Sequence, residues 1–274
     1  MKIKYWGTGA SEGLPAVFCD CENCQKARRL GGKNIRTRSQ MLINNDLLVD
    51  FGPDTYLHAL QNNFSLMNIK NVLITHCHED HLYLDDLLTR AEPYGNARDV
   101  MHVYGNDMLK AVYQYRILKD GLKENVDKTL DIVEVFENRE YVIGNYRVMP
   151  LLADHNPMEK CYIYTITQGN KSILYANDTG YFKEETWKAL EGRHFDLVSL
   201  DCNHIGMEIY DRHMSIPCCR KVKERLLEMG CIDEKSICVL THFSHNHGGL
   251  QEELERATSD MSVIIAYDGL EIEI

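Results

Sequence analysis

The sequence predicts an α/β fold in which two β-sheets pack face to face between two layers of helices. Short β-type segments occur in both halves of the 274 residues, helical patterns lie between them, and histidines or aspartates follow several strand ends. In such a sandwich each sheet buries one face against the other sheet and one face against helices. The sequence has no evident linker, low-complexity segment or repeat, so we expect residues 1–274 to form a single domain.

The first predicted strand, 2–6, alternates in polarity and leads into the glycine-rich turn GTGASEG. Segments 40–43 and 47–51 form a predicted hairpin across an Asn-Asn-Asp turn. Segment 71–75 (NVLIT) is apolar throughout, as expected for a strand covered on both faces. The remaining predicted strands are 146–152, 161–167, 172–176, 196–200, 237–240 and 263–267.

Helical periodicity separates these strands. The clearest patterns cover 85–91, 107–118, 184–190, 216–229 and 250–257. The segment 97–139 is long and polar and carries several tyrosines and lysines. The sequence leaves two roles open for this segment, a lid over the site and a contact between the subunits of a homodimer.

The composition is that of a globular protein, with 44% apolar and 26% charged residues. No apolar run approaches the ~20 residues of a membrane span, and the start MKIKYWGTG lacks the apolar core of a signal peptide. We therefore expect a cytoplasmic protein with no membrane partner. Its ten cysteines should be reduced there, which favours metal ligation or burial over disulfides.

The stretch LITHCHEDHL places His76, His78, Asp80 and His81 directly after the apolar strand 71–75. Residues two apart in an extended segment share a side, so His76 and His78 can bind one ion together. Asp80 and His81 lie just beyond and can face a second ion. Imidazoles and carboxylates suit Zn or Mn, and two ions ~3.5–4 Å apart can activate a water and stabilise both oxygens of a displacement.

Metal-type ligands follow three other predicted strands as well. Asp178, Asp201 and His242 each stand at a strand end. Sites in open α/β sheets form outside the carboxyl ends of strands, so these side chains are expected near the HxHxDH segment.

With this HxHxDH signature, the sequence resembles the metallo-β-lactamase superfamily, whose fold is an αββα four-layer sandwich with a two-metal site. Within the superfamily it is most similar to the phosphodiesterase branch, and there to the phosphodiesterase of the carbon–phosphorus lyase pathway. The resemblance extends from GTGASEGLP to AYDGLEI.

The resemblance implies the remaining ligands. His155 in ADHN, Asp178 in NDTG and His242 in LTHFSH match the family's ligand positions. One divalent ion would then be bound by His76, His78, His155 and Asp178, and the other by Asp80, His81, Asp178 and His242. Asp50 in LLVDFG matches an aspartate that orients the histidine segment.

The resemblance also suggests a proton donor. His213 in DRHMS matches a family histidine that contacts the phosphate and assists the leaving oxygen, and we assign His213 and the ligand Asp80 as catalytic residues. His204 in DCNH is a second candidate for the proton donor. The alternative for His204 is a supporting or buried role. His58, His102, His194 and His247 have no motif context, and we expect surface or core roles for them.

The stretch FCDCENC spaces Cys19, Cys21 and Cys24 as C-x-C-x2-C. Three thiolates need a fourth ligand for a closed zinc site, and a redox pair or solvated thiols are the alternatives. The resemblance supplies His245 as that ligand, which implies a structural Cys3His zinc. The other cysteines, among them Cys218 and Cys219, are expected to be buried apolar residues.

The function expected from these residues is a two-metal phosphodiesterase. A hydroxide held between the ions attacks the phosphorus of a small or cyclic phosphate ester. The net charge of −11 argues against nucleic acid as a partner. Two alternatives stay open: an endonuclease similar to the tRNA 3′-processing enzyme, and a non-catalytic metal- or redox-responsive binding module.

Overall fold

The computed structural model of the protein describes residues 1–120, 123–208, 210–246 and 249–274. His247 lies outside the described residues. Within them, no helix is long and apolar enough to cross a membrane.

Two seven-stranded sheets form the centre of the molecule. In hydrogen-bonded order the first sheet consists of β14 (Glu271–Glu273), β1 (Lys2–Gly7), β2 (Gln40–Ile43), β3 (Leu47–Val49), β4 (Asn71–Leu73), β5 (Met101–Gly105) and β6 (Leu130–Glu134). The second consists of β13 (Ile264–Ile265), β12 (Ile237–Thr241), β11 (Leu197–Asp201), β10 (Lys171–Ala176), β9 (Tyr162–Gln168), β8 (Tyr146–Leu152) and β7 (Tyr141–Ile143).

Each sheet is antiparallel on one side and parallel on the other. In the first sheet the pairs from β14 to β3 are antiparallel and the pairs from β3 to β6 are parallel. In the second, the pairs from β7 to β10 are antiparallel and those from β10 to β13 are parallel. The carboxyl ends of neighbouring parallel strands therefore meet at one edge of each sheet, where sites form.

Helices cover the outer faces of both sheets. They are α1 (Glu22–Leu30), α2 (Thr55–Gln61), α3 (Leu84–Leu88), α4 (Asp107–Asp120), α5 (Lys123–Val126), α6 (Glu184–Leu190), α7 (Ile216–Glu228) and α8 (Gln251–Ala257). Short 3-10 turns occupy Gly32–Asn34 and Leu66–Asn68. Ser215 begins α7 by accepting a hydrogen bond from the amide of Cys218, an N-cap that satisfies one free helix donor.

Three apolar clusters separate the layers. The central one joins residues of both sheets, such as Tyr5 and Val49 from the first and Ile173 and Val239 from the second. A second cluster packs helices α6, α7 and α8 on the outer face of the second sheet, and a third packs α3 and α4 on the first. The predicted αββα sandwich is confirmed.

The predicted helix bounds agree with the structure to within a few residues, and Glu184–Leu190 agrees in full. The strand predicted for 47–51 is wrong at its end, because Asp50 has φ +66° and leaves the sheet. Segment 97–139 contributes β5, α4, α5 and β6 to the first sheet and its helix layer. Cys218 and Cys219 are fully buried in the core beneath α7, as predicted for apolar residues.

Candidate metal centre

Three histidine nitrogens converge at the edge of the first sheet. Nε2 of His76 lies 2.9 Å from Nδ1 of His78, and Nε2 of His155 lies 3.2 Å from the same Nδ1. One shared proton cannot provide hydrogen bonds to all three of these imidazole nitrogens at once. This convergence fits the donor set of a single ion.

Asp178 stands at the centre of a second group. Its Oδ1 lies 2.7 Å from Nε2 of His242, and its Oδ2 makes a close contact with Nε2 of His81. Nε2 of His81 is in turn 3.1 Å from Oδ2 of Asp80. Oδ2 of Asp178 is also 3.9 Å from Nε2 of His76, so Asp178 lies between the two groups.

The sheet topology explains this convergence. Strands β10, β11 and β12 are parallel neighbours, and Asp178, Asp201 and His242 lie at or just beyond their carboxyl ends. His155 follows β8, which runs in the same direction as β10 because β9 is antiparallel to both. His76 follows β4 of the opposing sheet.

The far nitrogen of two ligand histidines is held by Asp50 and Thr75. Nδ1 of His81 donates to Oδ2 of Asp50 at 2.7 Å. The hydroxyl of Thr75 donates to Asp50, so it accepts from Nδ1 of His76, at 3.0 Å. Asp50 therefore fixes the orientation of the histidine segment and leaves both Nε2 atoms free for a metal.

Two further histidines are held in the same way. Ser39 donates its hydroxyl proton to the carbonyl oxygen of Gly9, and so it accepts from Nδ1 of His242 at 3.0 Å. Nδ1 of His155 donates to the backbone oxygen of Arg212 at 3.0 Å. In both rings Nε2 is left facing the centre.

Without a metal, the two groups differ in protonation. Although burial opposes it, nearby carboxylates raise the pKa of His81 well above its usual value and also raise the pKa of His242, so ions would displace protons from these two rings. Burial opposes ionisation of Asp178, but the rings of His242 and His81 outweigh it and hold the pKa of Asp178 well below its usual range. Burial lowers the pKa of His76 well below that of a free imidazole and also lowers the pKa of His155. An ionised carboxylate and neutral imidazoles are the ligand forms that bind metal.

Unsatisfied atoms provide a test of whether ions fit. Nε2 of His81 and Oδ2 of Asp178 are buried, have no hydrogen-bond partner, and point at one another. Leaving such atoms unpaired is costly unless an ion or water satisfies them. Together with the all-histidine and aspartate donor set, this shows that the residues fit a pair of divalent ions.

His213 lies beside this centre and is held by Asp201. Nδ1 of His213 is 2.8 Å from Oδ2 of Asp201 and 3.4 Å from Oδ1 of Asp178. Burial disfavours the charged ring, but the carboxylates, led by Asp201, raise the pKa of His213 to about 9. Asp201 is fully buried and also accepts from the amide of Met214 at 3.0 Å.

His204 is placed differently. It pairs with Ser215 in an isolated β-bridge, and it belongs to none of the groups of potential ligands found among the described residues. The structure therefore brings His213, and not the competing His204, to the ligand groups.

The cysteine segment forms a separate cluster with the predicted histidine. Sγ of Cys21 and Sγ of Cys24 lie 3.6 and 3.5 Å from Nδ1 of His245, and the potential ligand atoms of these residues and Cys19 are all within 4.8 Å of one another. A hydrogen bond to His245 lowers the pKa of Cys21 to about 6, whereas burial raises the pKa of Cys24 to about 11. Three thiols and one imidazole form a Cys3His donor set, which fits a tetrahedral zinc ion.

Backbone strain concentrates at the centre. Nine non-glycine residues of the described part have positive φ, and four of them are asparagines, which tolerate this conformation. Four others lie at the metal centre: Asp50 (φ +66°), Asp178 (φ +46°), Arg212 (φ +63°) and His242 (φ +64°). Such clustering is typical of functional sites, where strain is tolerated for geometry.

Sequence reasoning expected Asp201 near this centre, because it follows a strand in the same way as Asp178, but it gave Asp201 no role and missed Ser39, Thr75 and Arg212. The other three contact ligands through single hydroxyl or backbone atoms, and no spacing pattern marks such contacts.

Comparisons with known proteins agree with this geometry. The profile of the family described as "Beta-lactamase superfamily domain" matches residues 45–243. A ribonuclease Z from Picrophilus torridus is 26% identical over 186 residues, which are 64% of this chain and 50% of that protein. The match thus spans half the length of this curated relative.

Two solved structures share the fold over the whole chain. A diphosphatase of the PhnP family superposes with a TM-score of 0.75 at 20% identity, covering 100% of this chain and 97% of the other. Zn2+-bound PqqB from Methylobacterium extorquens gives 0.79 at 18% identity, covering all of both chains. Since the family profile covers most of the sequence and the ligand groups lie where the HxHxDH signature requires, the chain belongs to the beta-lactamase superfamily, with the metallo-β-lactamase fold.

Proposed function

We propose that the protein is a metal-dependent hydrolase that cleaves small phosphate diesters. The observation that carries the proposal is the position of Asp178, which belongs to the group with Asp80, His81 and His242 and lies 3.9 Å from His76 of the three-histidine group. Two divalent ions bound there would supply Lewis acidity and lower the pKa of water. With two carboxylates among the ligands, the occupied centre would keep a charge of about +2, which favours an anionic ester.

The chain's own residues supply the proton chemistry. Asp201 holds Nδ1 of His213 at 2.8 Å, so Nε2 is the atom from which a proton can pass to a leaving oxygen. Asp80 has its pKa lowered by the neighbouring His81 although burial opposes this, so it is a carboxylate and acts as a ligand rather than an acid. We assign the proton donor to His213.

The test uses purified protein with Mn2+ or Zn2+ and bis(p-nitrophenyl) phosphate. We expect turnover, and we expect His213→Ala to lower kcat by about 10²- to 10⁴-fold, the usual range for an acid–base group. His194→Ala is the matched control, because His194 is a surface histidine near Asp233. A larger loss in His204→Ala than in His213→Ala would transfer the role to His204.

A metal-loaded protein that is inert toward phosphodiesters, thioesters and lactams would instead favour a binding module.

A second candidate is a ribonuclease, because the similarity to the Picrophilus torridus ribonuclease Z covers 64% of the chain. The net charge of −11 works against it, since nucleic acid binding depends on neutralising phosphates with basic residues. We expect no gel-shift complex with precursor tRNA at physiological salt. A complex that survives such salt, with cleavage at the 3′ end, would replace the small-ester proposal.

A further inference from the structure

We propose that Glu159 is a positioning residue of the metal centre. Its carboxylate fixes the segment of His76 and His78 against the loop of His155, and so sets how tightly the three-histidine group binds its ion. The inference concerns ion binding alone, and it does not depend on which ester the protein cleaves.

The three histidines reach the centre from two different sheets. His76 and His78 follow β4 of the first sheet, and His155 lies in the loop 153–161 between β8 and β9 of the second. A backbone hydrogen bond of 2.8 Å from Tyr162 to the oxygen of Thr75 joins the two segments just before the histidines. The order of a ligand set depends on the contacts that hold its segments together, so the next contact along the chain matters most.

One oxygen of Glu159 makes this next contact. Its Oε1 accepts a hydrogen bond of 2.7 Å from the backbone amide of Cys77, the residue between the two ligand histidines, and another of 2.7 Å from the side chain of Asn106. Glu159 is half-buried, whereas its neighbours Met158 and Lys160 are exposed. The carboxylate is therefore directed from an exposed loop onto the histidine segment.

Asn106 holds this carboxylate in place. Oδ1 of Asn106 accepts from the amide of Leu109 at 2.9 Å, in the first turn of α4, as the side chain of an N-cap residue does. This bond fixes the orientation of the side-chain amide, so its nitrogen donates to Glu159 and, at 2.7 Å, to the backbone oxygen of Lys160. Two adjacent residues of the His155 loop are thus anchored to the start of a helix on the first sheet.

His78 is the ligand that depends most on this support. Four ligand histidines have the nitrogen that faces away from the centre hydrogen-bonded to an oxygen: His76, His81, His155 and His242. The corresponding Nε2 of His78 lies 3.4 Å from the side-chain nitrogen of Asn156, which is a donor because Oδ1 of Asn156 accepts from the amide of Met158. Among the described residues no acceptor holds this ring, so its direction depends on the neighbouring backbone, which Glu159 fixes.

The experiment starts from the Co2+-loaded full chain and measures the dissociation constants of its ions by competition with a chelator. Glu159→Ala should weaken the binding of one ion per chain by about 10- to 100-fold, the usual effect of removing an outer partner of the ligands. Glu159→Gln should restore most of the affinity, because the amide oxygen can accept the same two hydrogen bonds. The visible absorption of bound Co2+ should change in Glu159→Ala and return in Glu159→Gln, which a general loss of stability would not produce.

Glu137→Ala is the matched control. The carboxylate of Glu137 contacts Lys160 of the same loop at 2.8 Å and the hydroxyl of Tyr162 at 3.4 Å, so this variant removes a loop contact that does not involve the histidine segment. Its ion affinity should be unchanged. Asn106→Asp keeps an oxygen to cap α4 but replaces the donor by a charge that repels Glu159, so it should reproduce the loss. The melting temperature of each variant shows that it is folded before the titration.

An affinity in Glu159→Ala equal to that of the wild type would overturn the proposal. Equal losses in Glu159→Gln and Glu159→Ala would also overturn it, because the charge of the carboxylate, and not its two hydrogen bonds, would then act on the ion. None of these measurements needs turnover, so a protein that shows the expected affinities but cleaves no diester would count against the proposed function alone.

Discussion

The metal centre around Asp178 (the Asp178 centre) and the cysteine cluster both bring together potential ligands from distant segments. The two sites differ in what holds those side chains in place. His81, Asp178 and His242 are at most 3% exposed and lie beyond strands or within a hydrogen-bonded turn. Cys19 and Cys21 lie in an irregular segment before α1, with Cys21 exposed. The sheets preorganise the first geometry, and we expect a bound ion to contribute more to the second.

This difference suits the two sites to different roles for a metal, catalysis at the Asp178 centre and stabilisation of the fold at the cysteine cluster. At the Asp178 centre, Asp50, Thr75 and Ser39 accept hydrogen bonds from the Nδ1 atoms of the histidine rings. These bonds fix the direction of each Nε2 atom whichever ion is bound. At the cysteine cluster, the ion would tie the N-terminal segment to the loop that carries both His242 and His245. Metal loss should therefore abolish chemistry at the first site and loosen structure at the second.

Asp178→Asn gives the largest expected effect. It removes the carboxylate that lies between the two groups, so if Asp178 bridges the ions, binding of both should fail and activity should drop by more than about 10³-fold, beyond the effect of removing a single stabilising donor. Elemental analysis and turnover of bis(p-nitrophenyl) phosphate measure it. Asp131→Asn, at an exposed aspartate 2.9 Å from His102, is the control. Retention of two ions besides that of the cysteine cluster would show that Asp178 is not shared.

Cys24→Ser tests the other half of the comparison, the structural role of the cysteine cluster. Loss of a ligand from the Cys3His set should remove one zinc per chain, while the Asp178 centre keeps its ions. We expect the melting temperature to fall by about 5 °C or more, equivalent to roughly 2 kcal/mol for a chain of this size. Asp20→Asn in the same segment removes only an exposed ion pair with Arg28 and should have little effect. Equal thermal stability of the two variants would contradict a structural role for the cluster.

The sequence predicts the ligands better than it predicts their supports. His76, His78, Asp80 and His81 stand in one motif after an apolar strand, and their spacing is enough to find them, whereas the family resemblance supplied His155 and His245. The pair of Asp201 and His213 joins two residues 12 positions apart across a loop, and Ser39 meets His242 across 203 positions. Such contacts depend on how the sheets pack, which no local pattern encodes.

The same limit explains the unpredicted strands. Strands β5, β6, β7 and β14 were not predicted. The edge strands β6 and β7 and the terminal strand β14 carry mixed polar and apolar residues, because one side of an edge strand faces solvent. The interior strand β5 lies within the segment 97–139, and its alternate residues His102 and Tyr104 are only half-buried. The helix α1 was missed because its buried face consists of Cys24 and Ala27 only, too few apolar residues to give a helical period. Elements buried on both faces, such as β4 and β11, were found.

The smallest expected effect concerns the acid–base behaviour within the cysteine cluster. In the zinc-free protein the hydrogen bond from His245 lowers the pKa of Cys21 to about 6, and burial raises that of Cys24 to about 11. Because the thiolate of Cys21 is populated above pH 6, Cys21 should be mostly thiolate, and therefore reactive, at pH 7. Cys24 should remain protonated and unreactive at this pH. Alkylation of Cys21 by iodoacetamide should therefore rise through a midpoint near pH 6.

His245→Gln supplies the control for this titration. Without the imidazole partner, the midpoint for Cys21 should move toward the ordinary thiol value of about 8.5. Bound zinc should protect all three cysteines, because thiolates that ligate a metal are poor nucleophiles toward the reagent. A wild-type midpoint near 8.5 would mean that His245 does not face Cys21 without the metal, and the cluster would then be formed by its ion with no preorganisation at all.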